Sequence, residues 1–341
     1  MKRRSGKRYM GVDLHQDSFL VCSRAGGEQQ FRRWKLEQVE EFAGSLGADD
    51  ELAVEATGNS RWFCQKVGAQ VGRIVVVNPH QFRVISESVK KTDRRDAALL
   101  AEYLEKELLP EVRQKTCQES EMAQLVSARN QLVKMRTMLK NQLHGLLRSY
   151  GLRVNKQGLQ SAKQRLQVAK LELPALADVQ RRVLLEQIHS VGRAILELER
   201  HIKPAAEQLP GYQNLRSIRG IGALSAGVLL SAIGRVQDFS EPGKLAAYFG
   251  MVPSVQQSNH SEHHGRITRA GNKLARTTLV QCALIAKRYN PSLKQFYERV
   301  RHRRGTGKAI LATARKLLTL VYYTLKNNWV FSDSDHFALA A

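Results

Sequence analysis

Apolar and polar positions alternate in different ways along the chain and divide it into three zones. In the first, residues 8–110, Tyr9-Met10-Gly11-Val12-Asp13-Leu14 reads as a strand, and 18–22 as the strand paired with it. A Gly26-Gly27 turn leads into a third strand over 30–36 and a helix over 37–46. Glu51-Leu52-Ala53-Val54-Glu55 is a further strand, closed by the loop Thr57-Gly58-Asn59, with a helix from about 61 to 71. Arg73-Ile74-Val75-Val76-Val77 is an unbroken β-branched run, the pattern of a strand buried on both faces. Asn78-Pro79 stops it. Ala97, Leu99, Leu100 and Leu104 then fall at helical spacing in a helix that begins at Asp93. The order βββαβαβα predicts an α/β domain with a mixed sheet.

The second zone, 111–208, is almost entirely helix-forming. Leu125, Leu132, Met135, Leu139, Leu143 and Leu146 recur at three- and four-residue intervals, and Val183, Leu184, Ile188, Val191, Ile195 and Leu198 repeat the pattern. A Gly-, Lys- and Gln-rich segment over 151–165 joins them. Two narrow apolar stripes with charged flanks predict a helical hairpin or coiled-coil arm suited to dimerisation. The third zone, 210–330, opens on Ile218-Arg219-Gly220-Ile221-Gly222-Ala223 and a helix through Leu230, a pattern like a helix-hairpin-helix, in which Gly-rich turns let backbone amides approach phosphates. Residues 250–265 read as loop, and helices follow to about 327. The expected architecture is therefore α/β plus α, with a mainly helical C-terminal domain.

Composition changes this picture in one respect. Hydrophobic content of 43% and charged content of 25% are ordinary for a globular chain of 341 residues, but 54 Lys and Arg against 31 Asp and Glu give a formal charge of +23. Such an excess favours a polyanionic partner through counterion release. It is most one-sided over 261–330, where 15 cationic side chains face only Glu262 and Glu298. A solvated helix face interleaves acids with bases, so this stretch reads as a phosphate-binding surface. The four cysteines, Cys22, Cys64, Cys117 and Cys282, lie far apart with no CxxC pair, which points away from a zinc site and a disulfide framework and fits a reducing cytoplasm. No apolar run reaches bilayer length, so no membrane partner is expected.

Four acids stand out. Asp13 lies at the end of the first strand and Glu55 at the end of another, while Asp93 and Asp96, three apart, share one face at a helix start. Carboxylates at strand ends can converge with acids on a neighbouring helix, and the repulsion between them is resolved by hard divalent cations. Two such ions activate an attacking oxygen and stabilise a leaving oxygen at a phosphodiester. Each acid also has a structural reading, as a turn cap, an ion-pair partner or a dipole-compensating residue at a helix start.

Gly11-Val12-Asp13, Val54-Glu55-Ala56-Thr57-Gly58, Val77-Asn78-Pro79 and Lys91-Thr92-Asp93-Arg94-Arg95-Asp96-Ala97 together resemble the DEDD transposases of bacterial insertion sequences. The likeness continues through Leu215-Arg216-Ser217-Ile218-Arg219-Gly220-Ile221-Gly222, Ala247-Tyr248-Phe249-Gly250-Met251-Val252-Pro253 and Gly265-Arg266-Ile267-Thr268-Arg269-Ala270-Gly271-Asn272. The resemblance implies a RuvC-like, RNase H-fold catalytic domain whose acidic quartet binds metal, with Mg²⁺, two ions per site, as the expected cofactor.

It also implies a serine nucleophile in the loop between the Gly-x-x-Pro and Gly-Arg-Ile motifs. Ser258 occupies that position, although Asn259, His260 and Ser261 follow it where the family has glycine, and Ser254 and Ser261 compete. His260, His263 and His264 share the loop as candidate proton carriers or phosphate contacts. Lys91, Arg94, Arg95, Arg219, Arg266, Arg269, Lys273 and Arg276 are the candidate nucleic-acid contacts. Donor and target DNA, a structured bridge RNA acting as guide, and homodimers pairing into tetramers are the partners the resemblance implies. Two other readings remain: a RuvC-like junction nuclease that forms no covalent intermediate, and a non-catalytic nucleic-acid-binding protein.

Overall fold

Alternation along the first strand, β1 (Tyr9–Leu14), decides what each face of its sheet packs against. Met10, Val12 and Leu14 point one way, into a core completed by Phe19, Trp34, Phe42 and Phe63. Gly11 and Asp13 point the other way. The computed structural model describes residues 7–79, 82, 92–154, 159, 161–258 and 261–330, and these form two units divided between Gln114 and Lys115.

In the first unit β1 is the centre of a five-stranded sheet of order β3-β2-β1-β4-β5. β2 (Ser18–Ala25) and β3 (Glu28–Lys35) pair antiparallel, β2 directly against β1. β4 (Glu51–Glu55) and β5 (Arg73–Val77) run parallel to β1. Helices α1 (Val39–Gly44) and α2 (Ser60–Val67) cover the aromatic face, where the Phe19 ring meets both Phe42 and Phe63 at 5.2 Å. Helix α3 (Asp93–Glu105) covers the other face and packs on β1, β2 and β4 through Ala97, Leu100 and Ala101. Gly11 makes that approach possible: a Cβ there would lie 2.0 Å from the Ala97 carbonyl oxygen and 2.5 Å from the Ala101 nitrogen. This mixed sheet with helices on both faces is consistent with an RNase H/RuvC-like domain.

The second unit is mainly helical. α4 (Cys117–Ser149) and α6 (Ala175–Glu207) pack along each other, with the short α5 (Ala162–Ala169) at one end. Buried positions of α6 run Ala177, Arg181, Leu184, Ile188, Val191, Ile195 and Ile202, alternately four and three apart until the last, the spacing of a two-helix seam. Leu143, Leu147, Leu159, Val168, Leu184 and Ile188 form a core at the α5 end. Buried Arg181 locks that end by donating from a guanidinium nitrogen to the Val168 carbonyl at 3.2 Å. The opposite ends of α4 and α6 enter a larger core with α7 (Tyr212–Ser217), α8 (Ala223–Ile233), α9 (Pro242–Tyr248), α10 (Lys273–Tyr289) and α11 (Pro291–Lys326), the last broken at Gly305. The Gly-rich turn between α7 and α8 sits against α10: Gly220 has φ 109°, and a Cβ there would come within 2.9 Å of the Ala286 backbone.

Two expectations need correcting. Residues 250–265, read as loop, contain a β-hairpin, β6 (Pro253–Ser258) and β7 (Ser261–Ile267). The segment over 151–165, read as a polar linker, runs into α5, which Ser161 and Gln164 begin with a reciprocal capping box.

Candidate active site

β1 and β4 are parallel, with Val12 beside Val54, so Asp13 and Glu55 each stand one residue further along and share a face of the sheet. That face is the one α3 covers, and α3 presents its first turn, with Asp93 and Asp96, to the end of β1 that carries Asp13. Thr92 fixes the start of α3: its hydroxyl oxygen accepts the Arg95 amide at 3.3 Å. Three of the four predicted acids therefore act on one another. Burial raises the Asp13 carboxyl above its ordinary value, His15 lowers it, and the charges of Asp93 and Asp96 raise it further. Glu55, half-buried, ends the adjacent strand on the same face but is not among the main groups that shift Asp13.

His15 joins this group without having been predicted. Its Nε2 lies 3.2 Å from Asp13 Oδ2 and 3.4 Å from Asp93 Oδ2. One donor atom from each of Asp13, His15 and Asp93 falls within 4.8 Å of the others. The Asp13 side chain is 21% exposed and that of Asp93 43%, so solvent and ligands reach the cluster from one side. Arg33 on β3 also enters it, donating to Asp93 Oδ2 at 2.7 Å and holding that carboxyl below its usual range. Both residues had a signal in the sequence. His15 continues the period-two alternation from Asp13, and Arg33 lies on a strand that pairs with β2. Carboxylate oxygens and an imidazole nitrogen gathered at one point form a donor set that fits a divalent ion.

The other predicted residues divide into several groups. Ser258 ends β6 opposite Ser261 at the tip of the hairpin, while the Ser254 hydroxyl donates to the Arg266 carbonyl at 3.2 Å. Arg94 stacks its guanidinium on the Phe31 ring at 4.3 Å, and Arg95 is exposed on the same turn. Arg219, Arg266, Arg269 and Lys273 are exposed in the second unit, whereas Arg276 donates to the Phe249 carbonyl at 2.9 Å. Lys91 and His260 lie outside the described residues.

Residues 10–152 match the DEDD transposase family of IS110 elements, and residues 212–298 match the transposase IS116/IS110/IS902 family. The chain belongs to the IS110-type DEDD transposases. Along almost its whole length the transposase is similar to the transposase for insertion sequence element IS1111A of Coxiella burnetii, 27% identical over 335 residues, covering 95% of this chain and 92% of the relative. It is also 27% identical over 353 residues to the pilin gene-inverting protein of Moraxella bovis, covering 97% and 99%. A probable family 20 transposase of Pseudomonas aeruginosa is 26% identical over 277 residues, covering 80% and 78%. The family implies a divalent-metal site in the transposase, and the acid face of its sheet offers the hard oxygen donors such a site needs. Among the described residues no helix is long and apolar enough to cross a membrane.

Proposed function

We propose that this insertion-sequence transposase cuts and rejoins DNA strands with one acidic metal centre and one serine nucleophile. The observation that carries the reading is the convergence of Asp13 and Asp93 on one exposed point, with Asp96 near enough to raise Asp13 further. Asp13, Glu55, Asp93 and Asp96 hold Mg²⁺, two ions per centre. Bound there, the cation polarises the scissile phosphate and stabilises the oxygen that leaves it. Asp13, half-buried on a sheet strand, sets the position of the site, and Thr92 keeps the first turn of α3 directed at it.

Ser258 is the nucleophile of this reading. Its Oγ forms a bond to phosphorus, one strand end leaves as an alcohol, and the proton lost by the serine passes to a base or to the departing oxygen. The phosphoserine ester conserves the energy of the broken bond, so a second strand end can attack it, restoring the serine and joining DNA without another energy source. The position of Ser258 at a hairpin tip, against the engaged hydroxyl of Ser254, supports the choice. Lys91, Arg94, Arg95, Arg219, Arg266, Arg269 and Lys273 contact nucleic acid, while Arg276, engaged with the Phe249 carbonyl, holds the fold beside them; a structured RNA pairing to donor and target DNA is the guide. Residues 8–110 act as the RuvC-like domain, 111–208 as a coiled-coil arm that dimerises, and 210–330 as the domain bearing the serine; dimers pair into tetramers.

Strand-exchange assays on Asp13→Ala and Ser258→Ala test the reading, with each variant expected to lose on the order of a thousandfold or more in activity. Labelled DNA carried through a denaturing gel separates it from the metal-activated-water alternative. A protein–DNA adduct that requires Ser258 supports the covalent route, and cleavage without an adduct supports a junction nuclease. Tight binding with no cation-dependent chemistry would leave only a binding protein.

A further inference from the structure

Among the described residues, the acid cluster of the first unit includes a donor that is not a carboxylate. His15 follows β1 directly, and its backbone is fixed on two sides: its amide donates to the Ser18 carbonyl at 2.9 Å, and its carbonyl accepts the Asn59 side-chain amide at 2.8 Å. These bonds close the β1–β2 turn and tie it to the loop after β4. With the backbone held, period-two alternation sends the imidazole to the Asp13 side of the sheet. There Nε2 stands 3.2 Å from Asp13 Oδ2 and 3.4 Å from Asp93 Oδ2.

We infer that His15 is itself a ligand of the metal centre, which is thereby a mixed nitrogen–oxygen site that holds Mn²⁺ in preference to Mg²⁺. The inference rests on the metal-site reading above. Neighbouring ligand atoms of an octahedral ion with bonds of about 2.1 Å lie about 3 Å apart, close to both separations found here. Nε2 is therefore already near a coordination position and does not need to be recruited from a distance. The chemistry follows from the donor. An imidazole nitrogen is softer than a carboxylate oxygen, and affinity for an N/O site rises along the first transition row, whereas Mg²⁺ prefers oxygen ligands and keeps its waters. A purely acidic quartet offers little discrimination of this kind. The competing role for His15 is that of a cation paired with two carboxylates, as Arg33 is paired with Asp93. The two roles differ in what happens when metal arrives: an ion-pair partner is displaced, and a ligand is not.

Mn²⁺ titrations of the full-length transposase, followed by electron paramagnetic resonance, separate these roles, with pulsed spectra recording nitrogen coupling to the bound ion. The wild-type chain is expected to show imidazole ¹⁴N coupling. In His15→Gln that coupling disappears, Mn²⁺ affinity falls about tenfold, and Mg²⁺ affinity measured by competition changes less than about threefold. Asp13→Asn is expected to lose the bound ion, and circular dichroism confirms that both variants are folded. Asp13-dependent Mn²⁺ binding without ¹⁴N coupling, coupling that survives in His15→Gln, or an unchanged Mn²⁺-to-Mg²⁺ preference overturns the inference and leaves the acidic site standing. If no Mn²⁺ binding depends on Asp13, the metal-site reading falls, and the role of His15 falls with it.

Discussion

Asp13 is held in the fold at an electrostatic cost. Burial pushes its carboxyl up, His15 pulls it down, and the charges of Asp93 and Asp96 push it up again, for a net rise. The sign follows from linkage. A carboxyl raised in the folded state contributes stability below its unfolded value, and that contribution is lost as pH rises through the folded value. At neutral pH the ionised Asp13 therefore works against folding. Asp13→Asn is expected to melt at the same temperature as the parent or higher in divalent-free buffer, while losing the rise in Tm that added Mg²⁺ or Mn²⁺ gives the parent by binding the folded state. A lower Tm in the absence of metal would contradict the origin assigned to the shift. Gly11 is the opposite case, a residue required for shape alone. Gly11→Ala places a methyl 2.0 Å from a backbone oxygen of α3 and is expected to cost about 3 kcal/mol, read as a lower urea midpoint. The same variant should bind the divalent ion more weakly, because the first turn of α3 moves away from Asp13. At this scale the sequence made Asp13, Glu55, Asp93 and Asp96 legible, since strand ends and a helix start are local patterns. The signals of His15 and Arg33 were weaker, because their importance depends on the side of the sheet that α3 covers.

Elements were legible where their pattern is strong. The β-branched run of β5 and the apolar spacing of α3 each mark a buried face, whereas the cap at Thr92 that starts α3 is a finding of the structure. The hairpin of β6 and β7 was not legible because Gln256, Gln257, Glu262 and His263 carry no apolar alternation; its pairing is made by backbone bonds, to which composition is blind. α5 was hidden by its Lys- and Gln-rich surroundings, and only the pairing of Ser161 with Gln164 announces it. The cap at Thr92 carries a prediction of its own, because the turn it begins bears two of the four acids. Thr92→Ala removes the side-chain acceptor and leaves the Arg95 amide only the Thr92 carbonyl, at 2.9 Å, and is expected to cost about 1 kcal/mol in chemical denaturation. Strand-exchange activity should fall further than that loss explains, since a frayed first turn releases Asp93 and Asp96, and Thr92→Ser, which keeps the hydroxyl, should restore both. Equal activity in Thr92→Ala and the parent would show that the acids are positioned by something other than the cap.

Over the whole molecule the dominant quantity is charge, and it was legible from composition alone: +23 over 341 residues, most one-sided over 261–330. The structure adds which cations are free to act at the surface. Arg276 is engaged with the Phe249 carbonyl, whereas Arg266, Arg269 and Lys273 are exposed within eight residues of chain. If these three meet phosphates, each releases condensed counterions when nucleic acid binds, and the logarithm of affinity falls with the logarithm of salt by about 0.9 for each contact on duplex DNA. Replacing all three by Gln should therefore flatten the salt dependence by about 2 to 3 and weaken binding most at low salt, with little effect on the Tm of the protein. Replacing Arg276 should do the reverse, lowering stability through the lost bond to Phe249 while changing the slope less. Binding of one duplex measured across a salt series for both variants separates a cation that contacts phosphate from one that holds the fold. An unchanged slope in the triple variant would move the phosphate-binding surface elsewhere on the chain.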